Sequence, residues 1–398
     1  MKKLLTFALC IASVASLSAQ KEAVNAAKKL SGKLDKLEEA RSTIKGAFEN
    51  PETAKDANTY FVAGKIEMDA FEKENTKAQT DKNYTADNNA MGDQLLNGFE
   101  YFMQAMILDN QPNAEGKVKP KHTNNIVSKL SERSGDYWNA GANFFNDKKF
   151  DKAYKAFYYF GEIASNNPLV ANDSTIALAY NNAGIAAYSI PDLQAAVDAF
   201  AKARKTNASD SQPYIYEIAS WQALAQKDAN IAQEAKNAIY NIAEEGYKKF
   251  GVEPLFFLNN IVSYNVDNGN LDKALQMVND VMNTVPDNGN VYGLRAFVNE
   301  RKDDMAAAEA DYRKALQLGN ADFDTDKNAA IFLYKRGTEL LNAIDSNNAD
   351  ARTKKQEIKD NYFVPAADAA AAARKINSSD SNLNNIIDNI DYAISTYF

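Results

Sequence analysis

Two neighbouring segments in the C-terminal half of the 398-residue chain match each other at a spacing of 34 residues. Leu258 corresponds to Tyr292, Ala274 to Ala308, Val278 to Tyr312 and Val281 to Ala315. The last three positions of each segment are four and three residues apart, which places them on one face of a helix. A helix pair repeated at a fixed period folds by stacking, because one pair cannot bury both of its apolar faces. The sequence therefore predicts an all-α chain of stacked helix pairs.

The same frame recurs towards the N-terminus, with small residues where the two helices of a pair should meet. First helices repeat a tyrosine and then a glycine: Tyr60 and Gly64, Tyr137 and Gly141, Tyr180 and Gly184. Second helices repeat a small residue and then a phenylalanine: Gly98 and Phe102, Ala153 and Phe157, Ala196 and Phe200. Small residues let helix backbones approach, and large ones fill the gaps beside them. The copy over 213–251 is degenerate, and an inserted loop is predicted near Lys77–Asn89.

This pattern resembles the tetratricopeptide repeat (TPR), in which positions 8 and 20 are small and positions 4 and 24 are large. The resemblance implies an alpha-alpha superhelix, a TPR solenoid of about six repeats over residues 57–322, with Pro168 and Pro286 closing two copies. Residues 20–56 would form a capping helix or partial repeat, and residues 323–398 long helices and a cap. The segment Gln111–His122 is predicted as an ordered loop, with a linker between two lobes as the alternative.

Finer expectations concern the two ends of the array, which are atypical in repeat proteins. At the N-terminal end, five apolar side chains should point inward: Leu30, Leu34, Leu37, Ile44 and Phe48. After the last repeat, Asp326–Ala343 and Asn348–Lys375 are predicted as helices, and Pro365 should begin or kink the second one because it lacks an amide donor. A final helix should start at Ser379 or Asp380, with the side chains of Leu383, Ile386, Ile387, Ile390 and Ile394 inward.

The N-terminus has the pattern of a secretory signal: Lys2 and Lys3, an apolar run from Leu4 to Leu17, and then a small residue. We expect cleavage after Ala19 and a periplasmic or secreted protein that does not span the membrane, in keeping with exported TPR proteins of Gram-negative bacteria. An uncleaved anchor or a lipoprotein is the alternative. Cys10, which is the only cysteine, would be removed with the signal.

The remaining side chains restrict the chemistry. The only histidine, His122, is expected to be a solvated loop residue. Without cysteine or further histidine, structural zinc sites and histidine-based triads are excluded. Asp267–Asp272 departs from the calcium-loop pattern, so neither a metal nor a cofactor is expected, and the chain is predicted not to be an enzyme. A formal net charge of −8 argues against nucleic acid as a partner.

Candidate binding residues follow from the resemblance, since TPR ligands lie along a concave groove formed by first-helix positions 2, 5, 9 and 12. Those positions hold Phe61, Trp138, Phe145, Asn181, Tyr188, Phe256, Asn259 and Phe297. Aromatic residues dominate binding hot spots, and such a groove suits an extended segment or an amphipathic helix. The alternative is that several of these rings pack beneath neighbouring repeats.

Two functions remain open from the sequence. The first is an exported scaffold or adaptor for protein–protein interactions in the cell envelope. The second is a carbohydrate-binding helical-repeat protein of an outer-membrane uptake system, since the 20 tyrosines and two tryptophans permit sugar stacking.

Overall fold

The computed structural model describes residues 21–167, 169–206, 210–345 and 350–398. Every regular element in these ranges is helical, which confirms the all-α prediction. The expected signal segment 1–19 and Pro168 lie outside the described residues. No helix in the described ranges is long and apolar enough to cross a membrane. The chain divides into two units, Met1–Ala235 and Lys236–Phe398.

The first unit contains ten helices in its described part, and an eleventh crosses its end. They are α1 (21–31), α2 (Leu37–Lys45), α3 (Ala57–Thr80), α4 (Asn88–Asp109), α5 (Thr123–Glu132), α6 (Ser134–Asn146), α7 (Phe150–Asn166), α8 (Asp173–Tyr188), α9 (Leu193–Lys205), α10 (Gln212–Lys227) and α11 (Ala232–Phe250). Short 3₁₀ turns cover Leu34–Lys36, Gly46–Phe48, Thr53–Lys55 and Ala229–Ile231. Helix pairs α3–α4, α6–α7 and α8–α9 pack as hairpins.

The second unit, taken by itself, is also built of helix pairs. Its helices are α12 (Phe256–Asp267), α13 (Leu271–Met282), α14 (Gly289–Arg301), α15 (Met305–Leu318), α16 (Phe323–Asn342), α17 (Ala351–Ile358), α18 (Val364–Ile376) and α19 (Ser381–Tyr397). Helix α12 pairs with α13, α14 with α15, and α16 with α18. Of the residues that defined the 34-residue period, all are buried except Tyr292, which is half-buried.

Close contact between a glycine and an aromatic ring holds each hairpin of the first unit together. The glycine of the first helix faces the phenylalanine of the second in three pairs: Gly64 and Phe102, Gly141 and Phe157, Gly184 and Phe200. A Cβ atom on Gly141 would lie 2.8 Å from Cδ1 of Phe157, which is too close for any side chain. The small positions of the sequence pattern are therefore sites of helix approach, as predicted.

The N-terminal part differs from the prediction in two places. Leu37 and Ile44 are buried, but Leu34 is 50% exposed because it lies in a 3₁₀ turn whose residues do not follow the helical face. The predicted loop near Lys77–Asn89 is shorter than expected, since α3 extends to Thr80 and α4 begins at Asn88.

The segment Gln111–His122 is an exposed loop with both ends in the first unit. The carboxylate of Asp109, at the end of α4, accepts hydrogen bonds from the backbone N–H groups of Lys121, His122 and Thr123 at 2.8–2.9 Å. Burial raises the pKa of Asp109, but these bonds and one from the Thr123 hydroxyl outweigh it and lower the pKa to about 2. His122 is half-buried and stacks on Phe61 at 4.4 Å, so the prediction of a solvated histidine is wrong.

The C-terminal part contains the predicted proline break. A π-helical turn, Lys359–Phe363, joins α17 to α18, and Pro365 is the second residue of α18. Because Pro365 has no N–H, the carbonyl of Asn361 has no donor four residues ahead, and it accepts a 2.8 Å hydrogen bond from Arg313 instead. Asp380 caps α19 by accepting from the N–H of Leu383 at 2.7 Å.

Candidate functional site

First helices of three consecutive pairs in the second unit line a shared depression. A cavity of about 200 Å³, called here the first-helix groove, lies between α12, α14 and α16. Its lining includes Asn259, Ser263, Asn290, Gly293, Leu294, Phe297, Asp322, Asp324, Thr325 and Asn328. The structure thus brings together two of the residues predicted from sequence, Asn259 and Phe297. Asn328 was not among the residues predicted from sequence, because it lies outside the clear 34-residue copies.

Hydrogen bonds between two loops fix one end of the groove. The side chain of Asn320 accepts from the N–H of Gly289 at 2.9 Å and donates to the carbonyl of Asp287 at 2.9 Å. In the opposite direction, the side chain of Asn290 accepts from the N–H of Asp322 at 2.6 Å. Asp322 also caps α16 through the N–H of Thr325. The start of α16 is therefore held against the start of α14.

Gly293 lets α14 and α16 approach within the groove. A Cβ atom at this position would lie 2.7 Å from the hydroxyl oxygen of Thr325, which is buried. The close approach leaves the neighbouring side chains, Asn259 on α12 and Asn328 on α16, on the walls of one cavity. The groove is therefore a consequence of helix packing and does not depend on a flexible loop.

Amide groups that make no internal hydrogen bond are the main polar feature of the groove. Neither the side chain of Asn259 nor that of Asn328 has a partner among the residues that the structure describes. An asparagine amide offers both donors and an acceptor, which matches the N–H and C=O of a peptide backbone. The groove can therefore hydrogen-bond to an extended chain at two points.

An aromatic ring and a carboxylate complete the groove. Phe297 is half-buried, and the guanidinium of Arg301 lies 5.2 Å from its ring centre. Asp324 is exposed, and its only ion pair in the described part of the chain is to Lys327 at 3.5 Å. The groove therefore presents an apolar surface beside an acidic end. These groups suit a ligand with an apolar residue next to a positive charge.

Phe256 does not line the groove, although it belongs to α12. Its ring is half-buried and packs edge-on against Phe257, at 5.9 Å between ring centres. Phe257 is fully buried and occupies the space beside Gly246. Phe256 thus contributes to the packing at the start of α12.

In the first unit the predicted aromatic residues differ in exposure. Trp138 packs edge-on against Phe157 at 5.5 Å and Phe160 at 5.4 Å, and it covers the α6–α7 core. Phe145 packs on Phe150 at 5.2 Å. Tyr188 is 47% exposed, so its ring is accessible.

Phe61 and Asn181 lie in the core of the first unit, which corrects the prediction that a partner can reach them. Phe61 is 9% exposed and stacks on His122. Asn181 is 6% exposed, and its Oδ1 atom has no partner among the described residues. A buried acceptor without a partner costs about 1–3 kcal/mol. Residue spacing could not reveal this burial, because it depends on how the helix pairs stack.

The possible calcium loop is occupied by ion pairs. Asp267 pairs with Lys236 at 3.1 Å, and Asp272 pairs with Lys302. Gly269, between them, has a φ of +75°, as a tight turn between α12 and α13 requires. In the described ranges no group of three histidine, cysteine, aspartate or glutamate side chains is placed to hold a metal ion.

The repeat geometry can be compared with that of known proteins. In three hairpins of the first unit, glycine at position 8 faces an aromatic ring at position 24. The residue at position 20 is small and buried in these hairpins and also in α12–α13 and α14–α15. These helix pairs have the TPR fold. No family model and no curated protein matches the chain.

Several solved structures of TPR proteins match at low identity. YrrB, a TPR protein with an unusual peptide-binding site, is 14% identical over 51% of this chain and 94% of its own, with a TM-score of 0.36. A TPR protein from Bacteroides fragilis is 15% identical over 65% and 97%, with a TM-score of 0.28. The TPR2AB domain of yeast Sti1, in a complex with pHSP90, is 13% identical over 76% and 97%, with a TM-score of 0.23. At TM-scores below 0.5 these matches do not establish a shared overall arrangement.

Proposed function

We propose that the chain is an exported scaffold that binds a segment of a protein partner in the first-helix groove, within the cell envelope. The observation that supports binding most strongly is the pair of uncommitted amides, Asn259 and Asn328, on either side of a groove that contains Phe297. Export and an envelope location are supported by the signal-like segment 1–19.

The chemistry of the groove indicates what the partner segment contains. An apolar residue would contact Phe297, backbone groups would bond to the two amides, and a lysine or arginine would lie near Asp324. Because only three helices form the groove, a segment of a few residues fills it. We therefore expect a short linear motif and not a large folded surface.

Selection from a displayed peptide library tests this proposal. Peptides enriched on the wild-type chain should bind Asn259→Ala and Asn328→Ala about tenfold more weakly, which corresponds to about 1.4 kcal/mol for the lost hydrogen bonds. Asn283→Ala is the matched control, since Asn283 is exposed at the end of α13, away from the groove. Isothermal titration calorimetry measures the affinities.

The carbohydrate alternative is tested in parallel on a glycan array. If no peptide is enriched, and a glycan binds the wild type and loses affinity in Asn259→Ala, then the groove binds carbohydrate and the scaffold proposal is wrong. If the selected peptides bind all three variants equally, they do not occupy the groove and its assignment as the binding site is wrong.

A further inference from the structure

A second and larger cavity lies in the C-terminal part of the second unit. It has a volume of about 480 Å³ and is called here the α15–α18 cavity. Leu316 and Gly319 line it from the end of α15, Asp326 from α16, and Pro365, Asp368 and Ala372 from α18. Cavities of about 300–1,000 Å³ are the usual size of small-ligand sites.

Asp326 is unusual among the buried carboxylates of this protein. In the described ranges four carboxylate side chains are buried: Glu67, Glu217, Asp311 and Asp326. The first three are each bound by an arginine, namely Arg41, Arg204 and Arg295, at 2.6–2.9 Å. Asp326 is only 6% exposed, yet its carboxylate has no hydrogen bond or ion pair to any described residue.

A buried carboxylate is normally paired with a cation, because removing its charge from water is costly. The three arginine pairs show that this chain follows that rule elsewhere. At Asp326, by contrast, no described side chain pairs with the carboxylate, which lines the α15–α18 cavity. The α15–α18 cavity therefore leaves room beside this carboxylate for a cation from outside the chain.

The cationic side chains around Asp326 are committed to other partners. Arg313 also lines the cavity, but its guanidinium donates to Glu309 at 2.9 Å and to the carbonyl of Asn361, and it lies over the ring of Tyr362. Lys327 lies 3.5 Å from Asp324 and 3.6 Å from Asp380. Neither supplies a counter-ion to Asp326, so the cavity retains an uncompensated negative charge.

Two further features make the α15–α18 cavity favourable for a cation. The last turn of α15 faces it, and the free carbonyls at a helix C-terminus carry partial negative charge. Asp368, which is exposed at the start of α18, adds a second carboxylate to the lining. Leu316, Pro365 and Ala372 provide apolar walls that would contact an alkyl chain.

We propose that the α15–α18 cavity binds an alkylammonium group, with the carboxylate of Asp326 as its counter-ion and the apolar walls around its alkyl chain. The group belongs either to a lysine side chain of a partner or to a free aliphatic amine. This inference concerns a different cavity from the first-helix groove and does not depend on the function proposed for that groove.

The site has a defined pH dependence. Burial, and next the neighbouring carboxylate of Asp322, raises the pKa of Asp326 to about 6. Arg313, Asp368 and Lys327 are the other charged groups near the cavity. In the empty protein the folded state therefore binds a proton more tightly than the unfolded state, and stability falls as the pH rises from about 4 to about 6. Ammonium binding requires the ionised carboxylate, so it should strengthen over the same range.

The experiment compares melting temperatures of the purified chain at pH 7.5 with and without n-butylamine, against equal ionic strength of sodium chloride. The wild type should be stabilised by the amine, and Asp326→Asn should lose this response and bind at least tenfold more weakly by calorimetry. Without amine, Asp326→Asn should melt at a higher temperature than the wild type, since the unpaired charge is gone. Glu339→Gln, on the same helix, exposed and in the lining of neither cavity, is the matched control and should respond like the wild type.

Further binding measurements distinguish a lysine side chain of a partner from a free amine as the ligand. A short capped peptide with one central lysine should bind more tightly than butylamine if a partner protein supplies the group, and more weakly if a free amine does. Ala372→Leu, which narrows the cavity without changing charge, should weaken both. Equal stabilisation of the wild type and Asp326→Asn by the amine would overturn the proposal. So would stabilisation by sodium chloride or calcium chloride at the same concentration without an added effect of the amine.

Discussion

Gly184 on α8 and Phe200 on α9 illustrate how single residues set the spacing of a helix pair. The ring of Phe200 is 2% exposed and occupies the space where a side chain at position 184 would lie. Glycine removes the Cβ atom, and the aromatic ring of the facing helix fills the vacated volume. The two residues therefore act as one packing unit.

Substitution of either residue should lower stability. Gly184→Leu should overpack the pair and reduce the free energy of unfolding by about 1–3 kcal/mol. Phe200→Ala should leave a cavity and cost about 3–5 kcal/mol. Urea denaturation measures both. Gly135→Leu is the control, because nothing lies within 4 Å of its added Cβ atom, and it should not be destabilised. Unchanged midpoints for Gly184→Leu and Phe200→Ala would show that the repeat register is wrong.

Residues that recur could be predicted, and residues that occur once could not. The glycines and phenylalanines of the repeats stand at the same positions in several copies, so their packing role is visible in the sequence. Asp326 occurs once, and its burial depends on α18, which lies far along the chain. The stacking of His122 on Phe61 likewise depends on the path of a loop that has no repeat.

At the scale of helices, hydrogen-bond donors and acceptors explain where α17 ends and α18 begins. The proline predicted the break, because it removes one donor from the helix. It did not predict that Arg313 would bind the released carbonyl of Asn361, since that contact comes from a different helix. The π-helical turn between them is the local result.

Two of the candidate aromatic residues, Trp138 on α6 and Tyr188 on α8, should differ in their contribution to stability. Because Trp138 packs on Phe157 and Phe160, Trp138→Ala should lower the free energy of unfolding by about 3 kcal/mol. Tyr188→Ala, by contrast, should change it by less than about 0.5 kcal/mol, since the ring is exposed. Denaturation curves of the two variants provide the comparison. Unchanged stability in Trp138→Ala would instead support the sequence-based prediction that this ring faces a partner.

At the scale of the whole molecule, the eight candidate residues are divided between the two units. Phe61, Trp138, Phe145, Asn181 and Tyr188 lie in the first, and the others lie in the second. The sequence predicted the helix pairs, because packing within a pair follows from local periodicity. It could not tell which concave positions remain open, since that depends on contacts between successive pairs. Asn259 and Phe297 line a common cavity, whereas Phe61 and Asn181 are buried.

Stability of the whole chain should not depend on divalent metal ions. The acidic residues of the most calcium-like segment are in ion pairs with Lys236 and Lys302. Addition of EDTA should therefore leave the melting temperature unchanged in differential scanning calorimetry. A decrease that calcium restores would reveal a metal site and contradict this prediction.

The hydrogen bonds of Asp109 have a practical consequence for engineering. They join the end of α4 to the start of α5, so the ends of the intervening loop are held together independently of the residues between them. The side chains at 111–120 are all exposed. Lengthening such a closed loop costs little, because loop entropy grows only slowly with length. An epitope tag or a fluorescent reporter inserted near Gly116 would therefore leave both helices in place and provide a handle distant in sequence from either chain terminus.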